Sequence, residues 1–406
     1  MRSVDEHLAA CLAGLVALPA VEVPLPEAAG CVLAQDIVSA IDMPRFDNSS
    51  MDGYAVRADE VAGAGDEAPV TLPVLGDIPA GRGDALELAP GTTMRIMTGA
   101  PMPAGADSVV QVEWTDGGTE QVRISRASRL GQNIRRAGED VRKGETVLTK
   151  GTRMTSRQIT LAASVGIDRL TVHPLPRVVV LPSGSELVPP GKPLQPGQIH
   201  DSNGYGLVAA ANAAGAVARH GGIMPDDPAE VTAALERAVR DADLVITTGG
   251  VSAGAYDTVK AVLRELGTME FVQVAMQPGK PQGFGTIGPD ATPLFTLPGN
   301  PVSALLSFEV FVAPALRRLA GLPDLDRSTP LATVVEGWRS PPGRRQFARC
   351  LLTVTAAGPT VRPVGGQGSH LVADLAGANC LVIVPEAVTE VGRGDELPYI
   401  MLESGS

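Results

Sequence analysis

The spacing of apolar residues changes character at residue 177. Before it, from about residue 20 to 175, hydrophobic positions come in short runs such as VVQVEW (109–114) and TVLTKGTRM (146–154), interrupted by Gly and Pro. That texture predicts mostly β material with many corners. Two helices flank it. In SVDE, Ser3 and Glu6 have capping-box spacing, and Leu8, Leu12 and Leu15 share one face of the helix that follows. SRQITLAASVG (156–166) predicts the second.

From Arg177 onward strand and helix patterns alternate. RVVVLP (177–182) reads as a strand, residues 203–220 as a helix running into a strand, and DDPAEVTAALERAVRDA as a helix with Asp227 as N-cap and Pro228 first in the helix. DLVITT then predicts a strand whose Leu244, Val245 and Ile246 form an uninterrupted apolar run, as in a parallel strand covered on both faces. DTVKAVLREL predicts a helix, and residues 293–321 a strand, a turn and one long helix capped by Asn300 and opened by Pro301. The alternation predicts a parallel, three-layer α/β domain over residues 173–322. GLPDLDRSTP (321–330) has linker composition, and short β patterns separated by Gly and Pro fill residues 323–406. The expected fold class is multidomain α/β plus β.

Composition narrows the function. The 406 residues are 44% hydrophobic and only 3% aromatic, so cores of Val, Leu and Ala are expected in two to four domains. A net charge of -12 excludes a general nucleic-acid binder, which needs a basic face to displace counterions. No apolar run approaches the ~20 residues of a membrane span. The N-terminal run LAACLAGLVALPA follows Asp5 and Glu6 and reads as a structured helix rather than a secretory leader. The expected protein is soluble and cytoplasmic. Cys11, Cys31, Cys350 and Cys380 form no C-x-x-C pair and read as buried free thiols.

Candidate chemistry gathers at turns. TTGGVSAGAYD follows the buried strand, where glycine backbone approaches a phosphate closely in α/β sheets. PPGKP and QPGKP are not P-loops, and GFGTIG (283–288) is followed by no helix. Asp52, Glu139, Asp140, Glu186, Asp201, Asp226 and Asp257 all sit in turns, several just after predicted strands. Singly, each is equally a turn former or cap. Lys280, stiffened by neighbouring prolines, is either a fixed point charge or a solvated loop lysine. Acids and a lysine in one pocket would suit a phosphate with a divalent cation between them. None of the five histidines shows an acid or serine partner for triad chemistry, and only His200, next to Asp201, is in suggestive company.

Nine motifs then occur in one order: FDNSSMDGYAVRADEV, RIMTGAPMPAGADSVV, NIRRAGEDVRKGE, SGSELVPPG, GQIHDSNG, TTGGVSAGAYD, PGKPQGFG, LPGNPVSALLSFEVFV and GQGSH. In them the chain resembles, over nearly its whole length, the molybdopterin molybdenumtransferases, the MoeA-type enzymes related to the gephyrin E domain. The resemblance implies insertion of molybdenum from molybdate into adenylylated molybdopterin, with release of AMP and molybdenum cofactor. It implies four domains: residues 1–45 with 141–172, then 46–140, a molybdopterin-binding α/β domain at 173–322, and a small β-barrel at 323–406. It also implies a homodimer in which N-terminal motifs complete the partner's pocket.

The residues carried over follow the motifs. Asp257, Asp226 and Glu186 are expected to hold Mg²⁺ and the pyrophosphate end, with Lys280 neutralising phosphate and the backbone of Gly249, Gly250, Val251 and Ser252 donating to it. Asp52 and Asp140 join them as catalytic candidates. Thr98, Arg135, Pro298, Pro301 and Ser369 are expected to bind substrate. Three positions depart from the family pattern: Ser185 where T-G-D-E has an acid, Ala255 where many members have Glu, and Gln277 where K-P-G-K-P has a lysine. An adenylyltransferase of the same pathway, whose loop usually reads G-G-T-G, is the alternative enzyme and a further expected partner. A non-enzymatic molybdopterin-binding scaffold is the other reading.

Overall fold

The computed structural model describes residues 1–81, 85–250, 258–325 and 328–402, in two compact units. One unit comprises residues 35–150 and 156–168. At its centre five strands lie in the order Ser108–Gln111, Gly53–Val56, Thr93–Ile96, Val70–Ile78, Gln121–Ile124. Alternation along Gly53–Val56 sends Tyr54 and Val56 into one apolar cluster and Ala55 into another, as period-two side chains must. Helix Ser156–Ser164 lies where the sequence predicts it.

The other unit comprises residues 1–34, 151–155 and 169–406, and its α/β part carries the site. A six-stranded sheet runs Val217–His220, Arg177–Pro182, Leu244–Thr248, Thr292–Leu297, Pro281–Ile287, Glu270–Gln273. Val178, Val180 and Ile246 face helices Asn203–Ala213 and Pro301–Ser307, while Val179, Leu181 and Val245 face helices Pro228–Asp241 and Thr258–Leu266. All five residues of Leu244–Thr248 are buried, which is the two-faced burial that its apolar run predicts.

The sheet is mixed, not parallel throughout. Pro281–Ile287 runs antiparallel to both of its neighbours. Only residues 288–291 separate it from Thr292–Leu297, too few for the crossover that parallel neighbours require. The predicted long helix is also interrupted: Pro301–Ser307 and Ala313–Leu319 flank a π turn at Phe308–Val312. Pro314 lacks an amide hydrogen and its ring crowds the carbonyl four residues back, and a wider turn there relieves that clash.

Caps behave as their sequences suggest at two of three ends. Ser3 Oγ accepts from the Glu6 N–H, and Glu6 Oε2 accepts from the Ser3 N–H, closing the capping box. Asp227 Oδ1 accepts from the Glu230 N–H at 3.0 Å. Asn300 occupies its cap position but makes no cap bond; its amide donates to Ser369 Oγ at 2.9 Å instead.

Strands Leu331–Val334, Arg345–Thr355, Gly358–Pro363, Cys380–Val384 and Glu396–Met401 close into a five-stranded barrel, because Arg345–Thr355 pairs with both Gly358–Pro363 and Cys380–Val384. Ala348, Cys350 and Val382 fill it. Phe347 and Leu381, on the opposite face of the same strands, join the core of the α/β part. The four cysteines are buried and unpaired.

Candidate active site

Strands Arg177–Pro182 and Leu244–Thr248 are parallel neighbours, so their carboxyl ends open side by side. A cavity of about 580 Å³ lies there, lined by Ser183, Gly184, Glu186, Asp226, Thr248, Gly249, Gly250, Asn300, Pro301 and His370, and by the segment 199–203. This is the topological position where open α/β sheets bind ligands. Gly249 has φ +93° and Gly250 φ +68°, and a Cβ on Gly249 would lie 2.7 Å from the Ser183 carbonyl oxygen. Only glycine permits that approach; the Gly249 N–H donates to the Leu297 carbonyl at 3.1 Å, which ties the loop to the neighbouring strand end.

Glu186 and Asp226 give the described lining its acidic character, and no Lys or Arg is among the described lining residues. Ser185 donates to Asp226 Oδ2 through both its hydroxyl, at 2.7 Å, and its N–H, at 3.2 Å. An anionic ligand would meet net repulsion in such a cavity unless a cation came with it. Two carboxylates with neighbouring hydroxyl and carbonyl oxygens are a hard donor set that fits Mg²⁺, which keeps waters and substrate phosphates in its own shell. Among the described residues no three His, Cys, Asp or Glu side chains form a metal cluster. Asp257, the third expected ligand, lies outside the described residues, as do Val251, Ser252 and Ala255.

The remaining expected residues divide by unit. Pro301 lines the cavity, and the Pro298 carbonyl accepts from Thr248 Oγ1 at 3.0 Å. Ser369 contacts the lining through Asn300. Lys280 is half-buried and is not a lining residue; its carbonyl accepts from the Val274 N–H at 2.7 Å. Asp52, Thr98, Arg135 and Asp140 belong to the other unit. There Asp52 Oδ1 accepts from Thr98 N–H at 2.6 Å and Thr98 Oγ1 at 2.8 Å, and these bonds hold its carboxyl below the usual range. Arg135 pairs in a two-residue ribbon with Asn48, and the Asp140 N–H donates to the Met43 carbonyl.

Three features escape the sequence reading. Asp201 takes a histidine partner, but it is His220, at 2.8 Å, rather than the adjacent His200. Consecutive residues of an extended segment point to opposite sides, so sequence adjacency misleads there. Asn203 donates through Nδ2 to Thr248 Oγ1 at 3.0 Å and to the Gly299 carbonyl at 2.7 Å. Its position within GQIHDSNG is the signal that could have flagged it. Arg349, only 1% exposed, donates to the Gly366 carbonyl in the loop that carries Ser369, and its Nε has no partner among the described residues. Burial pushes its guanidinium below its usual range.

Comparison with known proteins places these features in a family. The sequence model "MoeA N-terminal region (domain I and II)" matches residues 2–166, "Probable molybdopterin binding domain" residues 179–318, and "MoeA C-terminal region (domain IV)" residues 332–402. Molybdopterin molybdenumtransferase 2 of Mycobacterium tuberculosis is 49% identical over 403 residues, covering 98% of each chain. The chain belongs to the MoeA family. Molybdopterin molybdenumtransferase of Haemophilus influenzae is 38% identical over 91% of each chain. Two crystal structures of MoeA from Pyrococcus horikoshii superpose with TM-scores of 0.81 at 34% identity and 0.80 at 28%, each over at least 99% of both chains. The cavity therefore lies within the segment of this MoeA-family chain that matches the molybdopterin-binding model. Among the described residues, no helix is long and apolar enough to cross a membrane.

Proposed function

We propose that the protein inserts molybdenum from molybdate into adenylylated molybdopterin, releasing AMP and molybdenum cofactor. The observation that carries this reading is the acid-lined cavity at the strand ends of a domain matching a molybdopterin-binding model, in a chain of the MoeA family. Hydrolysis of the phosphoanhydride adds water across the P–O–P bond and frees AMP, while two Mo–S bonds to the dithiolene replace Mo–O bonds of molybdate, whose oxygen leaves as water with the thiol protons. Glu186 and Asp226, with Asp257, would hold Mg²⁺, whose charge lets a pyrophosphate lie against carboxylates. Ser185 orients Asp226 by occupying one of its oxygens. The Gly249 N–H is held by the Leu297 carbonyl at 3.1 Å, so the Gly250 N–H is the one that would donate to phosphate oxygens. Arg349 sets a fixed positive charge behind the Ser369 loop, suited to an oxyanion.

A homodimer belongs to the same proposal, with Asp52, Thr98, Arg135 and Asp140 of one protomer completing the cavity of the other and Lys280 compensating phosphate charge. The four-domain division and a cytoplasmic location go with it. Mixing a Glu186→Gln protein with an Asp52→Asn protein should then restore part of the activity that each lacks. No complementation in a verified mixed dimer would remove the composite site.

The deciding experiment supplies purified protein with adenylylated molybdopterin, Mg²⁺ and molybdate and follows AMP and active cofactor. Molybdate-dependent AMP release supports the proposal. A requirement for ATP with plain molybdopterin would assign the adenylyltransferase instead, and binding without turnover would assign the scaffold.

A further inference from the structure

Asn203 ends a hydrogen-bonded path that starts at the sheet edge. His220, in the edge strand Val217–His220, accepts the Gly222 N–H at Nδ1, at 3.0 Å, so its ring proton sits on Nε2 and is donated to Asp201 Oδ2 at 2.8 Å. Asp201 is 1% exposed, and its other oxygen accepts the Gly204 N–H at 2.8 Å, in the first turn of helix Asn203–Ala213. A Cβ on Gly204 would lie 2.4 Å from Asp201 Oδ2 and 2.5 Å from His220 Nε2, so residue 204 has no room for a side chain. The start of the helix is thereby fixed from below, and Asn203 with it.

The orientation of the Asn203 amide follows from its partners. The Gly299 carbonyl can only accept, so Nδ2 must face it. Thr248 gives its hydroxyl proton to the Pro298 carbonyl and accepts from Nδ2. One amide thus ties the loop after Leu244–Thr248 to the loop before Pro301, the two loops that flank the cavity. Its Oδ1 is covered from solvent and has no hydrogen-bond partner among the described residues, so Nδ2 alone carries the clamp.

We propose that Asn203 is a substrate-positioning residue: its Nδ2 sets the spacing of the two loops that flank the cavity, and Asp201 with His220 fixes its place. Resting on the function proposed above, the inference assigns the clamp to the molybdopterin part of the substrate, because Asn203, Thr248 and Gly299 all lie in the segment that matches the molybdopterin-binding model.

The test measures steady-state kinetics for Asn203→Ala, His220→Leu and His220→Gln, together with binding of molybdopterin alone. Asn203→Ala should raise KM for adenylylated molybdopterin and weaken molybdopterin binding by about tenfold, leaving KM for molybdate unchanged. His220→Leu should shift the same parameter less, and His220→Gln, which restores an N–H donor, should recover it. Unchanged pterin binding in folded Asn203→Ala, or an equal loss for molybdate, would overturn the inference. Absence of molybdopterin binding by the unaltered protein would instead overturn the function on which it rests.

Discussion

Ser185 donates its hydroxyl to Asp226 Oδ2 at 2.7 Å, a neutral donor where the family pattern often has an acid. The carboxylate count beside Asp226 is therefore lower by one. Ser185→Asp should restore that charge and tighten Mn²⁺ or Mg²⁺ binding by about tenfold, since ligand charge count tunes cation affinity. Titration of the protein with Mn²⁺, followed by its spin resonance, checks this. Equal affinity in both proteins would show that residue 185 does not face the cation.

Glu186 and Asp226 are exposed in the cavity, so their isosteric amides should leave folding intact. Asp226→Asn and Glu186→Gln are each expected to lower molybdate-dependent AMP release on the order of 10²-fold. Excess Mg²⁺ should recover part of the loss. Full turnover in Asp226→Asn would exclude it from the cation site.

His7 on helix Val4–Leu12 is 2% exposed and packs edge-on against Phe311 at 4.8 Å. Burial, with Arg2 nearby, holds its imidazole down to about 4 from an ordinary 6.5, while Glu270 opposes weakly. Its neutral form is the one the fold accommodates, so its contribution is complete above pH 6.5 and is lost as pH falls toward 4. The unfolded chain binds the extra proton in that window, which amounts to about 3 kcal/mol at its lower end. Urea midpoints of the unaltered protein should fall between pH 7 and 5 more steeply than those of His7→Leu. Parallel pH profiles would refute the assignment.

Cys350 and Cys380 face each other across a barrel ladder, and burial pushes both thiols up to about 12, as it does Cys11; Cys31 is raised as well. Thiolate is the reactive form, so native protein should consume almost no Ellman's reagent at pH 8, and denatured protein four equivalents per chain. Rapid labelling of the native protein would contradict this burial.

Local chemistry was legible wherever one short segment decides its own structure. The Ser3/Glu6 box, the Asp227 cap and the two-faced strand Leu244–Thr248 each follow from neighbours within a few residues, because capping geometry and burial period are local. The cavity residues Glu186, Asp226, Gly249 and Gly250 were legible for a related reason: they end strands, and strand ends converge in this class of sheet.

Tertiary structure alone decided which distant groups meet. The residue that pairs with Asp201 lies 19 positions away on an edge strand, not next to it. Asn300 gives up its helix cap for Ser369, 69 residues on, and Asn203 reaches Gly299 across 96. Arg349 alternates out of the barrel on the same face as Phe347 and becomes a buried cation beneath the Ser369 loop. Sequence determined the elements because their hydrogen bonds and apolar periods close within a few residues. The hydrogen-bonded clamp at the cavity needed the fold, since its donors and acceptors come together only when separate strands register side by side.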